Sequence, residues 1–563
     1  MVARRSLRSA YVTMVDLKNE LEIRPAREED VVAVRQLFIR SYGLHYRYRD
    51  FYDDTWLKKA VFSDNYLFLV AALGKRIIGS ASIYFDVGSY TDLLGEFGRL
   101  VVDPALRRKG IGSRLMAARL HFARRRLHFG FIHGRTSHLY AQQIGAKHGF
   151  KAIGFLPQKS LFEERESIAV MAQIFRSARE LRRNHPQIIP EIFPLAAKAL
   201  INLGLLNDLR VIEDADSYPM HEQFDVEELT ETGLPYLLRI ERGRLKRRQV
   251  FGNMMVSYGY FALQAREAQY LVAKKGETIV GAIGYIFDRV GQTIQIIELI
   301  DTDDAVAGFL LHELDRRVRE DLDVAYVEVA VSAYWPRIQR TLDQLGFCPV
   351  AYCPAYVFRE TERLDVVRMA KLYIPFDVGH VQLIPEMAEI YDLVVRGFIE
   401  KRIGIQVDDF TRSVSIFKGL TDAQLRMLSG ICKVVEYPAG AVVFAQDDTN
   451  RRLFMVLSGE VDICMGTDQV VVGRVLAGDV LGEIALVEGL PHSATAVAVQ
   501  DTRLITLANQ DFEALIQRYP RIGMTVMRNI ALSLGRKLKL VDLTMTQLYR
   551  LQPGVALDEN NLG

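Results

Sequence analysis

Cysteine is scarce in this 563-residue chain, with four residues: Cys348, Cys353, Cys432 and Cys464. Cys348 and Cys353 flank an expected strand and have no second pair to complete a metal set. All four therefore read as reduced, mostly buried thiols in a reducing, cytoplasmic setting, with no metal expected. No run of eighteen apolar residues occurs, which excludes a membrane-spanning helix. Charge of one sign is also missing: the net charge is +2, so nothing biases the chain toward nucleic acid. Basic clusters at 124–126 and 242–248 read as solvated faces beside helices. Residues 1–20 are basic but lack a continuous apolar core, so they read as a helical arm rather than a secretory signal.

The length suggests three or four domains, and 49% hydrophobic with 25% charged residues is ordinary for globular protein. The most informative stretch is 96–119, EFGRLVVDPALRRKGIGSRLMAAR. A β-rich run (Phe97, Leu100, Val101, Val102) meets Asp103-Pro104. The loop Arg107-Arg108-Lys109-Gly110-Ile111-Gly112 follows, and then Leu115, Met116 and Leu120 recur at helical spacing. Strand, glycine-bearing loop and helix in that order aim backbone N–H groups and a helix dipole at one point, an anion cradle. Around it, 67–73 and 77–85 read as a hairpin, 129–134 as a fifth strand, 140–147 as a short helix ended by Gly149-Phe150, and 168–175 as a closing strand.

Arg107-x-x-Gly110-x-Gly112 after a strand resembles motif A of the GNAT acyltransferases, and the helix-Gly149-Phe150-strand pattern resembles their motif B. The resemblance implies a mixed α/β sheet over 21–176. It also implies acetyl-CoA or another acyl-CoA as co-substrate, with its pyrophosphate on Arg107, Arg108, Lys109, Gly110, Ile111 and Gly112. Its pantetheine arm would lie on the bulged strand around Leu100, Val101 and Val102. An amine acceptor, a protein lysine or a small molecule, attacks the thioester. Glu96 stands at the strand mouth where the family often places its base. His133 and His138 lie where the fifth strand opens. The family's leaving-group tyrosine is missing: four residues before Gly149 stands Gly145, so the acid is unassigned. The tyrosine-rich segment 42–54 either walls the acceptor site, lines a groove for a long acyl chain, or packs as aromatic core.

Markers recur along the chain. Pro190-Glu191 returns as Pro385-Glu386, Gly149-Phe150 as Gly346-Phe347, Met171-Ala172 as Met369-Ala370, and Leu100 as Leu299, at offsets of 195, 197, 198 and 199 residues. A tandem duplication follows: a linker at 177–221, a second GNAT-like copy at 222–376, and another helical linker at 377–404. In the second copy the loop has become Asp301-Thr302-Asp303-Asp304, whose carboxylates repel a pyrophosphate. The expectation is a copy that does not bind CoA and serves as scaffold, walling the acceptor site.

From residue 405 to 545 short β runs alternate with glycine turns, as in a small jelly roll with flanking helices. Gly482-Glu483-Ile484-Ala485-Leu486 and then His492-Ser493-Ala494 resemble the phosphate cassette of cyclic nucleotide-binding domains. The resemblance implies a regulator such as cyclic AMP, its ribose on Glu483 and its phosphate on the cassette. The family's arginine is replaced by His492, which offers no bidentate fork. The alternative is a docking or dimerisation module, the expected helix at 522–540 pairing with a second copy. After it only a tail, 546–563, remains, with no winged helix-turn-helix. The fold expected is thus α+β multidomain: two GNAT-like sheets in tandem, then a cyclic nucleotide-binding-type barrel. The function expected is an acyl-CoA-dependent N-acyltransferase with a regulatory domain, against a non-catalytic sensor or docking protein.

Overall fold

The computed structural model describes residues 20–244, 248–320, 322–420, 422–449, 451–466, 468–484 and 491–551. The arm expected at 1–20, but for Glu20, and the tail beyond Leu551 lie outside the described residues. The chain divides into two units, Met1–Phe398 and Ile399–Gly563.

In the first unit, β1 (Leu21–Pro25) is followed by α1 (Val31–Tyr42), whose Val31, Val34, Leu37 and Phe38 fall at helical spacing and are buried. Helix α2 (Asp54–Phe62) starts where Asp53 accepts from the Thr55 N–H. The hairpin β2 (Tyr66–Leu73) and β3 (Arg76–Tyr84) precedes β4 (Leu94–Val102), α3 (Ile111–Ala123), β5 (Phe129–Arg135), α4 (Tyr140–Lys147), β6 (Lys151–Leu161) and β7 (Arg165–Ile174). The connection that follows carries a short 3-10 helix (Arg176–Ala178) and the helix α5 (Phe193–Asn202); on either side of α5, β8 (Gln187–Ile188) and β9 (Arg210–Val211) pair in parallel. The sequence expectation of a helical linker over 177–221 is narrower in fact, because Pro186 and Pro190 bracket a stretch that cannot propagate a helix.

The second half runs β10 (Asp225–Glu228), α6 (Leu234–Arg244), α7 (Tyr260–Ala265), β11 (Ala268–Lys275), β12 (Thr278–Asp288), β13 (Thr293–Asp301), α8 (Asp304–Glu320), β14 (Tyr326–Ser332), α9 (Pro336–Gln344), β15 (Cys348–Arg359) and β16 (Glu362–Leu372), before α10 (Pro385–Ser413). Cys348 and Cys353 both lie inside β15, buried and unbridged.

Where two sheets were expected, the strands form one sheet of fourteen, in the order β1-β2-β3-β4-β5-β7-β6-β15-β16-β14-β13-β12-β11-β10. Read from its two ends, the order is the same. Only β4–β5 and β13–β14 are parallel. The halves meet edge to edge where Ala351 of β15 pairs with Gly154 of β6. A methyl group at Gly154 would collide with Ala351, so this approach requires glycine. Joining β6 to β15 removes two open sheet edges at once. Side chains lock the seam: Phe358 N–H donates to Asp92 (2.7 Å), the buried Arg363 donates to the Asp92 carbonyl (2.6 Å), and Gln142 of α4 bonds the backbone of Gln382 and Ile384.

The second unit holds two four-stranded sheets. One joins β17 (Cys432–Tyr437), β24 (Thr502–Ala508), β19 (Arg452–Ser458) and β22 (Val480–Leu481). The other joins β18 (Val442–Phe444), β23 (Thr495–Ala498), β20 (Glu460–Met465) and β21 (Val470–Leu476). This is a jelly-roll arrangement with flanking helices. Leu453, Met455, Ile505 and Leu507 pack on Phe512, Ile522, Val526 and Ile530 of the helices α11 (Asn509–Arg518) and α12 (Pro520–Leu551).

Candidate functional site

Strands β4 and β5 pair only from Leu94 to Glu96 against Phe129 to Phe131, then part. On its other side β4 carries a bulge opposite Ala81, with Arg99 held in the left-handed region (φ 53°). The two departures open a cavity of about 380 Å³ at the middle of the sheet. Glu96, His133 and His138 all line it, as do Leu100 and Tyr42, Tyr46 and Tyr48. The second half lines it too, through Asp288, Gln295, Tyr326 and Glu328. The three candidate catalytic side chains are thus brought to one cavity.

Their partners differ. Glu96 accepts from Arg99 (3.0 Å) and contacts His133 Nδ1 (3.2 Å). Burial alone would push Glu96 up, but the Arg99 charge and the His133 hydrogen bond hold its carboxyl well below the usual carboxylate range. His133 Nε2 faces Arg368 Nη1 at 3.2 Å. Arginine only donates, so Nε2 accepts and the His133 proton sits on Nδ1, aimed at Glu96. Burial lowers the His133 pKa, so the ring is neutral at pH 7. Arg368 also holds Glu328 (2.5 and 2.8 Å), which accepts from Lys159 (2.7 Å) and Tyr326 (3.1 Å). Burial, reinforced by Arg368, pushes the Lys159 ammonium down to about 8 against the opposing pull of Glu328. A relay Arg99–Glu96–His133–Arg368–Glu328–Lys159 therefore crosses from one half to the other.

His138 stands apart from this relay. Its ring packs on Tyr140 (centroids 5.1 Å apart), and its buried Nδ1 has no hydrogen-bond partner. Burial and the nearby Arg135 charge lower its pKa, so it too is neutral at pH 7.

The anion-cradle residues lie at the far end of β4. Val101 is buried and Arg107, Arg108, Lys109 and Gly110 are exposed, while Ile111 and Gly112 are buried in the first turn of α3. Arg108 (φ 63°) and Gly110 (φ 80°) turn the backbone through left-handed conformations, and Gly110 caps α3 without any side-chain hydrogen bond to the first N–H groups. Of the nine candidate cofactor residues only Leu100 lines the central cavity; the others lie outside it, from the end of β4 to the start of α3.

Several site residues were not singled out from the sequence. Arg119 is fully buried on α3 and donates to the carbonyls of Ser82 (3.0 Å) and Gly98 (3.2 Å), tying β3 to the bulged β4. No carboxylate pairs with it, and burial pushes it down to about 9. Its sequence signal was an arginine on the apolar stripe formed with Leu115, Met116, Leu120 and Ala123. Lys159, Glu328 and Arg368 gave no local signal, since the ion pairs they form span 169 and 40 residues, while Arg99 lies three residues from its partner Glu96.

In the second unit, Gly482 (φ 79°) packs so close to the Arg452 carbonyl that only glycine fits. Glu483 is buried and Ile484 exposed; Ala485 lies outside the described residues. His492 is buried, 3% exposed, and stacks on Phe444 with centroids 3.8 Å apart and planes at 16°. Ser493 is exposed. The ring at the family's arginine position is thus packed into the roll, its flat face against Phe444.

Among the described residues no group of three or more His, Cys, Asp or Glu could hold a metal, and no helix is long and apolar enough to cross a membrane. Residues 31–150 match the acetyltransferase (GNAT) family, and residues 434–519 match the cyclic nucleotide-binding domain. The chain is 32% identical over 136 residues to the cyclic AMP receptor protein of Thermus thermophilus, covering 24% of this chain and 61% of that protein. It is 32% identical over 112 residues to the Pycsar effector protein XpPycTIR of Xanthomonas perforans, covering 20% and 35%. The crystal structure of Thermus thermophilus catabolite activator protein aligns at 31% identity over 24% of this chain and 62% of that one, with a TM-score of 0.22. The chain spans less than two thirds of the length of these relatives. It therefore joins a GNAT acetyltransferase domain to a C-terminal cyclic nucleotide-binding domain.

Proposed function

We propose that this chain is an acyl-CoA-dependent N-acyltransferase whose reaction occurs in the cavity between β4 and β5, with the C-terminal jelly roll as its regulatory unit. The observation that carries the reading is the convergence of an uncapped α3 terminus, a bulged and parted β4, and a cavity holding two neutral imidazoles near the ionised carboxylate of Glu96. Acyl-CoA would lay its pyrophosphate on the N–H groups and cations of 107–112. Its pantetheine would follow Leu100, Val101 and Val102, leaving the thioester at the Glu96 end. The chemistry then asks for a base that accepts a proton from the attacking amine, and for donors that hold the carbonyl oxygen as it gains charge.

His138 suits the base role best. It is neutral at pH 7 and keeps a buried nitrogen without a partner. Glu96 and His133 are fully engaged with each other and with two arginines, so they orient the site and stabilise positive charge arising on the amine. We further propose that residues 21–176 and 222–376 are two copies of one GNAT-like fold, of which only the first binds acyl-CoA.

The test is coenzyme A release from acetyl-CoA with an amine panel, using the full chain. Turnover that is lost in Arg107→Ala/Gly110→Ala is expected. Acetyl-CoA that neither binds nor is consumed with any amine would overturn the transferase reading. Titration with cyclic AMP, repeated on His492→Ala, tests the regulatory unit: heat in the native chain supports a nucleotide ligand, and none makes the roll a docking module.

A further inference from the structure

Resting on the transferase reading, we infer that the acceptor is a small zwitterion of the amino-acid type, a primary amine with a carboxylate close by, rather than a peptidyl lysine. The wall of the cavity carries five cationic side chains, Arg47, Arg99, Arg119, Arg135 and Lys159. Against them stand three carboxylates, Glu96, Asp288 and Glu328. Counting the partners just behind the wall does not change the balance, because Arg368 joins Glu328 and Glu166 joins Arg135 (3.0 Å). A surplus of two positive charges faces a half-dry space, where charge is expensive to leave unmatched.

An acceptor whose only charge is an ammonium would add to that surplus; one that also brings a carboxylate offsets it. Of the four wall cations that pair with a carboxylate, Arg47 makes the longest contact. It donates to Ser160 Oγ (2.6 Å) and lies over the Tyr48 ring, and its contact with the half-buried Asp288 of the second half is a single one at 3.3 Å. It is therefore placed to exchange that contact for a substrate carboxylate. Asp288 and Glu96 would face the amine end. The second half thus supplies part of the acceptor wall, which limits the room for a folded protein substrate.

The test compares kcat/KM with acetyl-CoA for matched acceptors differing only in the carboxylate, tyrosine against tyramine and lysine against cadaverine, alongside a blocked peptide with one internal lysine. A preference of about tenfold or more for the amino acids is expected, the size of one charge-assisted contact. Arg47→Ala is expected to erase it through the amino-acid KM, with acetyl-CoA KM unchanged, and Arg47→Lys to keep part of it. Tyramine, cadaverine or the peptide used as well as the amino acids, with transfer intact, would overturn the acceptor class alone. A preference unchanged in Arg47→Ala would overturn the role of Arg47. Absence of acetyl-CoA binding and of transfer to any acceptor would instead sink the transferase reading beneath it.

Discussion

The two halves of the fourteen-stranded sheet follow one strand order, yet only one of them has an open cleft. In both, two parallel strands pair briefly and part, β4 from β5 after Glu96 and β13 from β14 after Ile296, and in both the leading strand is bulged. In the second half the gap is filled by the chain itself. Phe251 N–H bonds Ala330, Ser332 N–H bonds Gln249, and Gly252 N–H bonds Ile297, each at 2.9 Å. A side chain at Gly252 would strike the Ile297 backbone, so this inserted segment is fitted to the gap. The helix termini differ in the same sense. Asp303 caps α8 by accepting from the N–H groups of Ala305 (3.0 Å) and Val306 (3.1 Å), and Gly308 lies directly against Pro219. At the start of α3 the capping residue is Gly110, with nothing of its own to offer. A carboxylate bound to the N–H groups of one helix stands where the other leaves room for an anion. Shared topology therefore does not make a shared site; what fills the gap and caps the helix does.

The sharpest way to break this comparison is to remove the base from the open half. His138→Ala is expected to lower kcat by about 10²–10⁴-fold, the usual range for a general base, with acetyl-CoA affinity unchanged in calorimetry. Since the folded His138 pKa lies below 6.5 and the neutral ring is the active form, the native rate should rise with pH on the acid side and be flat above pH 7. A limb near pH 8 would instead assign the proton to Lys159.

A smaller effect, on stability, tests the join between the halves. Arg368→Met leaves Glu328 buried with Lys159 as its remaining cation, and should cost about 3–5 kcal/mol in urea unfolding. The relay also sets the acid limb. Glu96 and Glu328 have folded pKa values below their unfolded ones, so their stabilisation is complete above about pH 4.5 and is lost as pH falls below it. An unfolding midpoint that does not drop between pH 5 and 3 would contradict this.

The smallest effect belongs to the closed half. Asp303→Ala removes only a helix cap, at about 1 kcal/mol, and acetyl-CoA affinity should not change. Weaker binding there would mean that the second half takes part after all.

Much of the first half was legible because its signals are local. Glycines and basic residues at fixed spacing marked the turn into α3, and Gly149-Phe150 marked the end of α4. The recurring markers pointed to a second copy over 222–376 with aspartates in its loop, and the strand order of the second half mirrors that of the first. Other features depend on contacts that no spacing encodes. His133 and Arg368 are 235 residues apart, and Gly154 meets Ala351 only because two edges pair. The segment at 249–252 carries no motif, so the expectation that the second half does not bind CoA rested on the aspartates of its loop alone, and the segment that fills the gap had no signal of its own. His492 was read by its position in a pattern, whereas its placement is decided by the flat face of Phe444.

The most direct test of the account is the stoichiometry of acetyl-CoA binding to the full chain by calorimetry, repeated on Gly110→Asp, which gives the open half the cap of the closed one. One site per chain, weakened about a hundredfold or more by the substitution, a loss of roughly 2.7 kcal/mol, is expected. Two sites per chain, or a single site indifferent to Gly110→Asp, would contradict it.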